Sequence, residues 1–437
     1  MPTGSFGGLV ARRQAEGTLV VQPRMGFADP AKMRAGLIAT KYARACTVGT
    51  ITLDSYTRVG DQAAVAAALA RGDELNGYPI VGHGAAVTRS VTGGVADRDF
   101  PVQVRHGSAD PRAIVTALLA AGLDATEGGP VSYCLPYSRT PLARSVEHWR
   151  ESCDRLAAAR TAEREPHLET FGGCMMGQLC PPALLIALSV LEGLFFVQHG
   201  LRSISLSYAQ QTSAEQDAEA VTALRRLTAE LLPDVESHIV IYSYMGVYPC
   251  TRTGAQSLLA ESARLAVATG AARLIVKTTA EAFRIPTIEE NVLALEQASL
   301  VASTASTAST ASAASTASAA DPSPAAGAGD TGIYAQAVAL ISAVLDLADD
   351  IGRALLLAFS RGYLDVPYCL HPDNAGRTRG CLDSAGRLQW QRIGSMPIRR
   401  LADVPAQTRM TSAGLLHSLS FVQHKFDHAG LAPSIGS

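Results

Sequence analysis

The sequence lacks most of the devices from which a function is read at first sight. It has no CxxC pair. Its eight cysteines (Cys46, Cys134, Cys153, Cys174, Cys180, Cys250, Cys369 and Cys381) are dispersed over 437 residues. Structural zinc sites use tighter pairs, and Cys369 near His371 offers only two ligands. Free thiols in a reducing cytoplasm are therefore expected. Charge of one sign is missing as well. With 37 basic and 39 acidic residues the net charge is −2, and the Lys and Arg residues are scattered rather than set in a stripe. No nucleic-acid partner is expected from such a balance. No apolar run reaches the ~20 residues that cross a bilayer. The longest, 183–197, holds Glu192 and Gly193, and reads as a buried helix. The first residues do not follow the basic, apolar, small-residue order of a secretory signal, so a cytoplasmic chain is expected. No Ser or Cys elbow accompanies His83 or His106, both beside glycines, which excludes the usual nucleophile–base arrangement. Asp346/Asp350 and His424/His428 have helical i,i+4 spacing but form no HExxH motif. Both pairs read as solvated helix faces, and no metal site is expected.

What remains is the composition of a globular chain, 47% hydrophobic and 17% charged, long enough for one large domain with an appendage or for two ordinary ones. One stretch stands apart. Residues 303–329 read STASTASTASAASTASAADPSPAAGAG, with no large apolar side chain to offset the entropy of ordering, so a flexible linker is expected. The resulting division is 1–300, 301–331 as linker, and 332–437 as a small helical and irregular region packed on the first unit.

Before the linker, β-rich runs alternate with amphipathic ones. The runs are 18–22, 46–53, 78–81, 101–105, 131–135, 169–174, 203–207, 238–242 and 273–277; the helical stretches include 111–121, 142–161, 214–232 and 256–269. Strands alternating with helices argue for parallel βα units. Nine candidates for eight staves suggest a (β/α)8 barrel with 131–135 demoted to a loop, and the region has the ~250 residues typical of that fold. A doubly wound sheet is the competitor, but no GxGxxG follows the first strand. After the linker 333–355 reads as one helix, and the tail from Tyr363 has few regular patterns.

Barrel sites lie at the carboxyl ends of the strands. There the sequence places Arg24 after the first run, Arg58 after the second, Arg105-His106 after 101–105, and Lys277 at the end of the last. Cations gathered in one cavity repel unless they bind anions, and each Arg offers a planar fork matching a carboxylate. Three forks suit two carboxylates. The stretch Glu127 to Tyr137 adds an anion and two phenols, Tyr133 and Tyr137, behind a glycine pair. It reads either as an ordinary solvated loop or as a partner for a ligand's ammonium. Lys277 and Glu281 read equally as an i,i+4 ion pair or as hydrogen-bonding groups for a ribose or amide. A mouth rich in anion-binding groups and poor in acid–base equipment implies that a cofactor supplies the chemistry.

The segments QPRMG (22–26), LDSYTR (53–58), LNGYP (75–79), VQVRHG (102–107), TEGGPVSYCLPY (126–137), YMGVYP (244–249), IVKTTAEAFRIPT (275–287) and LDVPYCLHPDNAG (364–376) resemble, in register, the epsilon subunit of glutamate mutase, or methylaspartate mutase E chain. The resemblance covers about residues 18–400. It implies a (β/α)8 TIM-type barrel that receives adenosylcobalamin from a small cobalamin-binding sigma subunit and interconverts L-glutamate and threo-3-methylaspartate by a radical route. It further implies two large and two small chains. By the same resemblance Arg24, Arg58 and Arg105 clamp the substrate carboxylates with His106 beside them, Glu127 holds the amino group, and Tyr133 and Tyr137 complete the substrate shell. Gly26, Asn76, Pro136, Tyr248, Lys277, Glu281 and Ile285 fall on cofactor contacts. Tyr248 stands where the family has phenylalanine, and FGGCMMGQLCPP (171–182) departs from its usual proline- and threonine-rich sequence. The DxHxxG motif that supplies the lower cobalt ligand is missing, since Asp427-His428 near Gly430 has another spacing. Two other readings stay open: a mutase for a different dicarboxylate or substituted glutamate, and a catalytically silent barrel that binds an acidic amino acid.

Overall fold

Eight short strands, all parallel, wrap into a barrel in the computed structural model, which describes residues 5–172, 179–316, 332–404 and 410–429. They are β1 (Val20–Gln22), β2 (Gly49–Thr52), β3 (Val102–Arg105), β4 (Ala125–Glu127), β5 (His167–Glu169), β6 (Ser203–Ala209), β7 (Glu236–Tyr242) and β8 (Arg273–Ile275). Each strand from β2 to β8 pairs with the next, and β8 pairs with β1, Gln22 opposite Ile275. At the seam between β1 and β2, Val21 forms a parallel bridge with Thr47, and its N–H donates to Cys46 O at 2.9 Å. Helices cover the outside, so the strands are buried on both faces, as parallel strands require.

The barrel is filled in layers. At its amino-terminal end the helix Phe6–Ala15, capped by Ser5 accepting from Gly8 N at 3.1 Å, inserts Phe6 among Leu9, Val10, Val20, Val48 and Ala125. Above this apolar floor lies a polar layer of Gln22, Thr50, Gln103, Glu169, Ser205 and Arg273, all fully buried.

The structure redraws two of the expected strands. Residues 78–81 are not a stave: Tyr78 makes a single bridge with Leu53, its N–H reaches Thr52 O at 2.9 Å, and the helix Ile80–Thr92 starts two residues later. The missing stave is β4, whose three residues, Ala-Thr-Glu, carry no β-branched run to announce it. Residues 131–135 are indeed a turn. β5 ends at Glu169, where the expected run 169–174 begins, and residues 173–178 lie outside the described residues. The single helix expected over 333–355 is two, Ile333–Leu345 and Ile351–Arg361. Asp350 accepts from Arg353 N at 2.6 Å and so starts the second, as an N-cap does. Asp346 follows the last residue of the first helix, so the two aspartates share no helix face.

The helix Ile288–Thr316 runs well into the Ala/Ser/Thr stretch, consistent with alanine's top rank as a helix former; the remainder of the expected linker, 317–331, lies outside the described residues. The helix Pro182–Gln198 is apolar all round and nearly all buried, the pattern of a core helix. No helix of the described residues is long and apolar enough to cross a membrane. The tail contributes a hairpin, β9 (Thr378–Leu382) with β10 (Leu388–Ile393), docked on the barrel by Gln216. The Gln216 amide donates to Leu388 O at 2.9 Å and accepts from Leu388 N at 2.8 Å. The helices Ser412–Leu419 and Phe421–Ala429 complete the tail.

Candidate active site

Each side chain singled out at a strand end is delivered by a local device. Asp54, just past β2, accepts from Thr57 N at 3.0 Å and caps the helix Ser55–Val59. Arg58 sits in that helix's last turn, where a cation complements the dipole, and its Nε donates to Leu53 O at 2.8 Å. Arg105 ends β3 and Glu127 ends β4. Immediately afterwards Gly128 has φ +129, and a Cβ there would lie 2.4 Å from the Trp149 ring and 2.5 Å from Tyr133. Only glycine lets the chain leave the strand so abruptly, which brings Tyr133 back over Glu127.

Arg105 and Glu127 form a buried pair, 3% and 2% exposed, with Nε and Nη2 of the arginine each 2.8 Å from Glu127 Oε2. Tyr133 donates to Glu127 Oε1, and Tyr242 donates to Oε2 at 2.8 Å. The Arg105 guanidinium also lies 4.8 Å from the centre of the Tyr242 ring. Its third nitrogen, Nη1, is buried with no hydrogen-bond partner among the described residues. His106 is similar. Its Nδ1 accepts from Ser108 N at 3.2 Å, while Nε2 is buried and unpartnered among the described residues. Two donors are thus left without an acceptor among the described residues.

Burial pulls His106 down to about 3, with Arg58 and Arg105 adding to the effect, so the ring is neutral at physiological pH. Burial also pulls Arg58 below its ordinary value; Tyr133, Tyr137 and Glu127 oppose this, and Arg24 adds to it. Burial raises the Glu127 carboxyl, with Arg105 opposing and Glu169 reinforcing.

A second group borders the first. Arg24 Nη1 lies 3.5 Å and Lys277 Nζ 3.9 Å from Glu281 Oε2, and Lys277 stands 4.9 Å from the centre of the Tyr248 ring. The Tyr248 hydroxyl is buried without a partner among the described residues. Burial pulls Lys277 down to about 8, Glu281 opposing and Arg24 adding to it. A cation with a lowered folded value binds fewer protons folded than unfolded between pH 8 and 10.5, so its contribution to stability must grow as pH rises through that window. Relative to a Lys277→Met variant, the wild type should gain up to roughly 3 kcal/mol between pH 8 and 10.5 in denaturant titrations. A constant difference would contradict the buried placement.

The remaining residues fall less neatly. Gly26 and Ile285 line one cavity of about 960 Å3 between the loop after β1, residues 72–75 and the loop after β8. A Cβ at Gly26 would lie 2.0 Å from Thr52 O. Asn76 is exposed and accepts from Ser55 N at 2.9 Å. Pro136 lines a different cavity of about 630 Å3, between barrel and tail, with Tyr137, Cys369 and His371. His424 and His428 share the last helix, their ring centres 6.1 Å apart. No group of three or more His, Cys, Asp or Glu among the described residues could hold a metal.

Sequence reasoning missed the support beneath the site. Glu169 pairs with Arg273 and shares the single Tyr242 hydroxyl with Glu127, so Tyr242 stands between the two carboxyl groups. Arg273 further donates to Gln22 and, at 3.1 Å, to Ser205 Oγ. Gln22 Nε2 reaches Gln103 Oε1 at 2.8 Å and Thr50 Oγ1 at 2.9 Å. Two arginines and two glutamates balance. The usable signal was a polar residue within or at the end of stave after stave.

The comparisons with known proteins identify the family. The sequence model of the family described as methylaspartate mutase E chain matches residues 2–416. The chain belongs to the methylaspartate mutase E-chain family. It is 30% identical over 400 residues to the glutamate mutase epsilon subunit of Escherichia coli O157:H7, covering 88% of this chain and 79% of that one. It is 34% identical over 360 residues to the glutamate mutase epsilon subunit of Halobacterium salinarum (79% and 71% covered), and 32% identical over 351 residues to that of Haloarcula marismortui (77% and 68%). A member of that family on a (β/α)8 barrel is an isomerase, and the arginines, Glu127 and the tyrosines gather at the carboxyl end of the strands, where barrel enzymes in general act.

Proposed function

We propose that this chain is the catalytic subunit of an adenosylcobalamin-dependent glutamate mutase, interconverting L-glutamate and threo-3-methyl-L-aspartate with a small cobalamin-binding subunit. The observation that carries the reading is the convergence of Arg24, Arg58 and Arg105 with Glu127, Tyr133 and Tyr137 at one mouth, with Arg105 Nη1 and His106 Nε2 left unpartnered among the described residues. A ligand with two carboxylates and one ammonium matches that set.

In this reading Arg105 keeps Nε and Nη2 on Glu127 and turns Nη1 to one carboxylate, while Arg58 and Arg24 take the other. Glu127 accepts from the ammonium, and Tyr133 and Tyr137 close over it. Such clamps hold reacting groups in place without proton transfer and keep water away.

The residues present also suit the cofactor. Lys277 and Glu281 would hydrogen-bond ribose hydroxyls, the buried Tyr248 hydroxyl would gain a partner, and Gly26 and Ile285 line a shared cavity that could take part of the group. When bound, adenosylcobalamin would supply the radical chemistry. The small partner subunit, through its DxHxxG motif, would hold the cobalamin. Around the mouth Val59, Val247, Phe283 and Ile285 are apolar and well exposed, at 74%, 40%, 68% and 51%. That supports docking of a second chain there, in an assembly of two large and two small subunits.

The test is reconstitution. The chain, a DxHxxG-bearing small subunit and adenosylcobalamin together should produce methylaspartate from glutamate, and omission of any one should abolish it. No product from the full mixture, or product from the chain alone, overturns the proposal.

A further inference from the structure

Glu192 is the single charge in the apolar helix Pro182–Gln198, and it is wholly buried. A carboxylate there needs donors, and it has two: Val131 N–H at 3.0 Å and Ser132 N–H at 2.9 Å, both on Oε1. Those amides open the turn over residues 130–136, which is helical in its bonding. Tyr133 N–H reaches Gly129 O at 3.1 Å, Leu135 N–H reaches Val131 O at 3.0 Å, and Ser138 N–H reaches Cys134 O at 3.0 Å. The first amides of a helical turn have no internal acceptor, and an anion suits that end. The same turn carries Tyr133, and Tyr137 follows directly.

Two further observations point the same way. A Cβ built on Gly129 would lie 2.2 Å from the Glu192 carboxyl carbon, so the chain reaches the carboxylate only because that position has no side chain. The second oxygen, Oε2, is buried without a hydrogen-bond partner among the described residues. Burial pushes this carboxyl up to about 7, against the pull of Ser132, Val131 and the Phe171 backbone. A leucine would pack in the same helix without that cost. A half-satisfied buried acid is a local conflict of the kind found at functional sites.

We propose that Glu192 is the positioning residue of the active-site turn: by holding the Val131 and Ser132 amides it sets Tyr133 against Glu127 and Tyr137 beside Arg58. The consequence for substrate rests on the glutamate-binding reading above; the anchoring itself does not.

The experiment uses the full-length chain with Glu192→Leu, Glu192→Gln and Gly129→Ala. Hydrogen exchange is followed at residues 131–135, and glutamate affinity by calorimetry. Glutamine retains an acceptor and should keep both near wild type. Leucine should speed exchange of the turn by about tenfold or more, as expected for loss of charge-assisted hydrogen bonds, and weaken glutamate by a similar factor. Gly129→Ala, which leaves the carboxylate but pushes the turn off it, should do the same, and it decides the matter should the leucine variant not fold. Wild-type exchange in whichever of these two variants folds overturns the positioning role. Wild-type chain that binds no glutamate, with exchange altered as expected, instead sinks the substrate reading and leaves the anchoring standing.

Discussion

Arg105→Met should lower kcat/KM for glutamate by about a thousandfold or more, measured in the reconstituted enzyme. Arg105 is almost entirely buried, pairs with Glu127 at 2.8 Å, and carries an unpartnered nitrogen among the described residues. Although burial works against it, Glu127, Tyr242 and Glu169 hold its guanidinium above its ordinary value, so it stays charged throughout the accessible pH range. Removing it deletes a preorganised donor, commonly a loss of ~10²–10³ in rate, and leaves Glu127 buried without its cation, which weakens any grip on an anion further. Arg105→Lys separates the two effects. It keeps a charge near Glu127 but loses the planar fork, so the protein should stay folded while activity falls by roughly a hundredfold. Equal activity of the lysine variant and wild type would show that the fork is not used.

The largest effect on stability is expected one layer deeper. Arg273→Leu should destabilise the chain by about 3–5 kcal/mol, since removal of one member of a buried pair leaves an uncompensated charge. Glu169 would lose the group chiefly responsible, despite burial, for holding its carboxyl below its ordinary value, and Gln22 and Ser205 would lose a donor. The double variant Glu169→Leu/Arg273→Leu should recover most of that loss, because an apolar pair of similar volume needs no partner. Urea midpoints of the four proteins measure the coupling directly. Additive losses would mean that the two groups do not depend on each other.

The architecture was legible from the sequence because parallel strands and covering helices leave different periodicities. The long amphipathic helices, such as Leu142–Ala158 and Ala214–Leu231, appear nearly where the pattern places them. Very short staves are harder. Ala125–Glu127 is too brief for any alternation to register, whereas Tyr78–Val81 has the apolar content of a strand and instead leads into a helix at Ile80. A local pattern cannot say which of two short runs finds a neighbour on both sides. The site divides along the same line. Arg24, Arg58, Arg105 and Lys277 were visible because strand ends are visible. The direct Arg105–Glu127 contact was not, because it depends on β4, the three-residue stave that the pattern did not reveal, pairing with β3. Glu169, Tyr242 and Arg273 were hidden because inward-facing residues of different staves meet only through the barrel's register.

Calorimetric titration of the chain with L-glutamate and, separately, with L-glutamine tests the central claim most directly. Glutamine keeps the ammonium, one carboxylate and nearly the same shape, and lacks only the second charge. A mouth in which three guanidinium groups grip two carboxylates should bind glutamate at least about a hundredfold more tightly, since a buried charged group deprived of its partner costs several kcal/mol. Equal affinities for the two would contradict it.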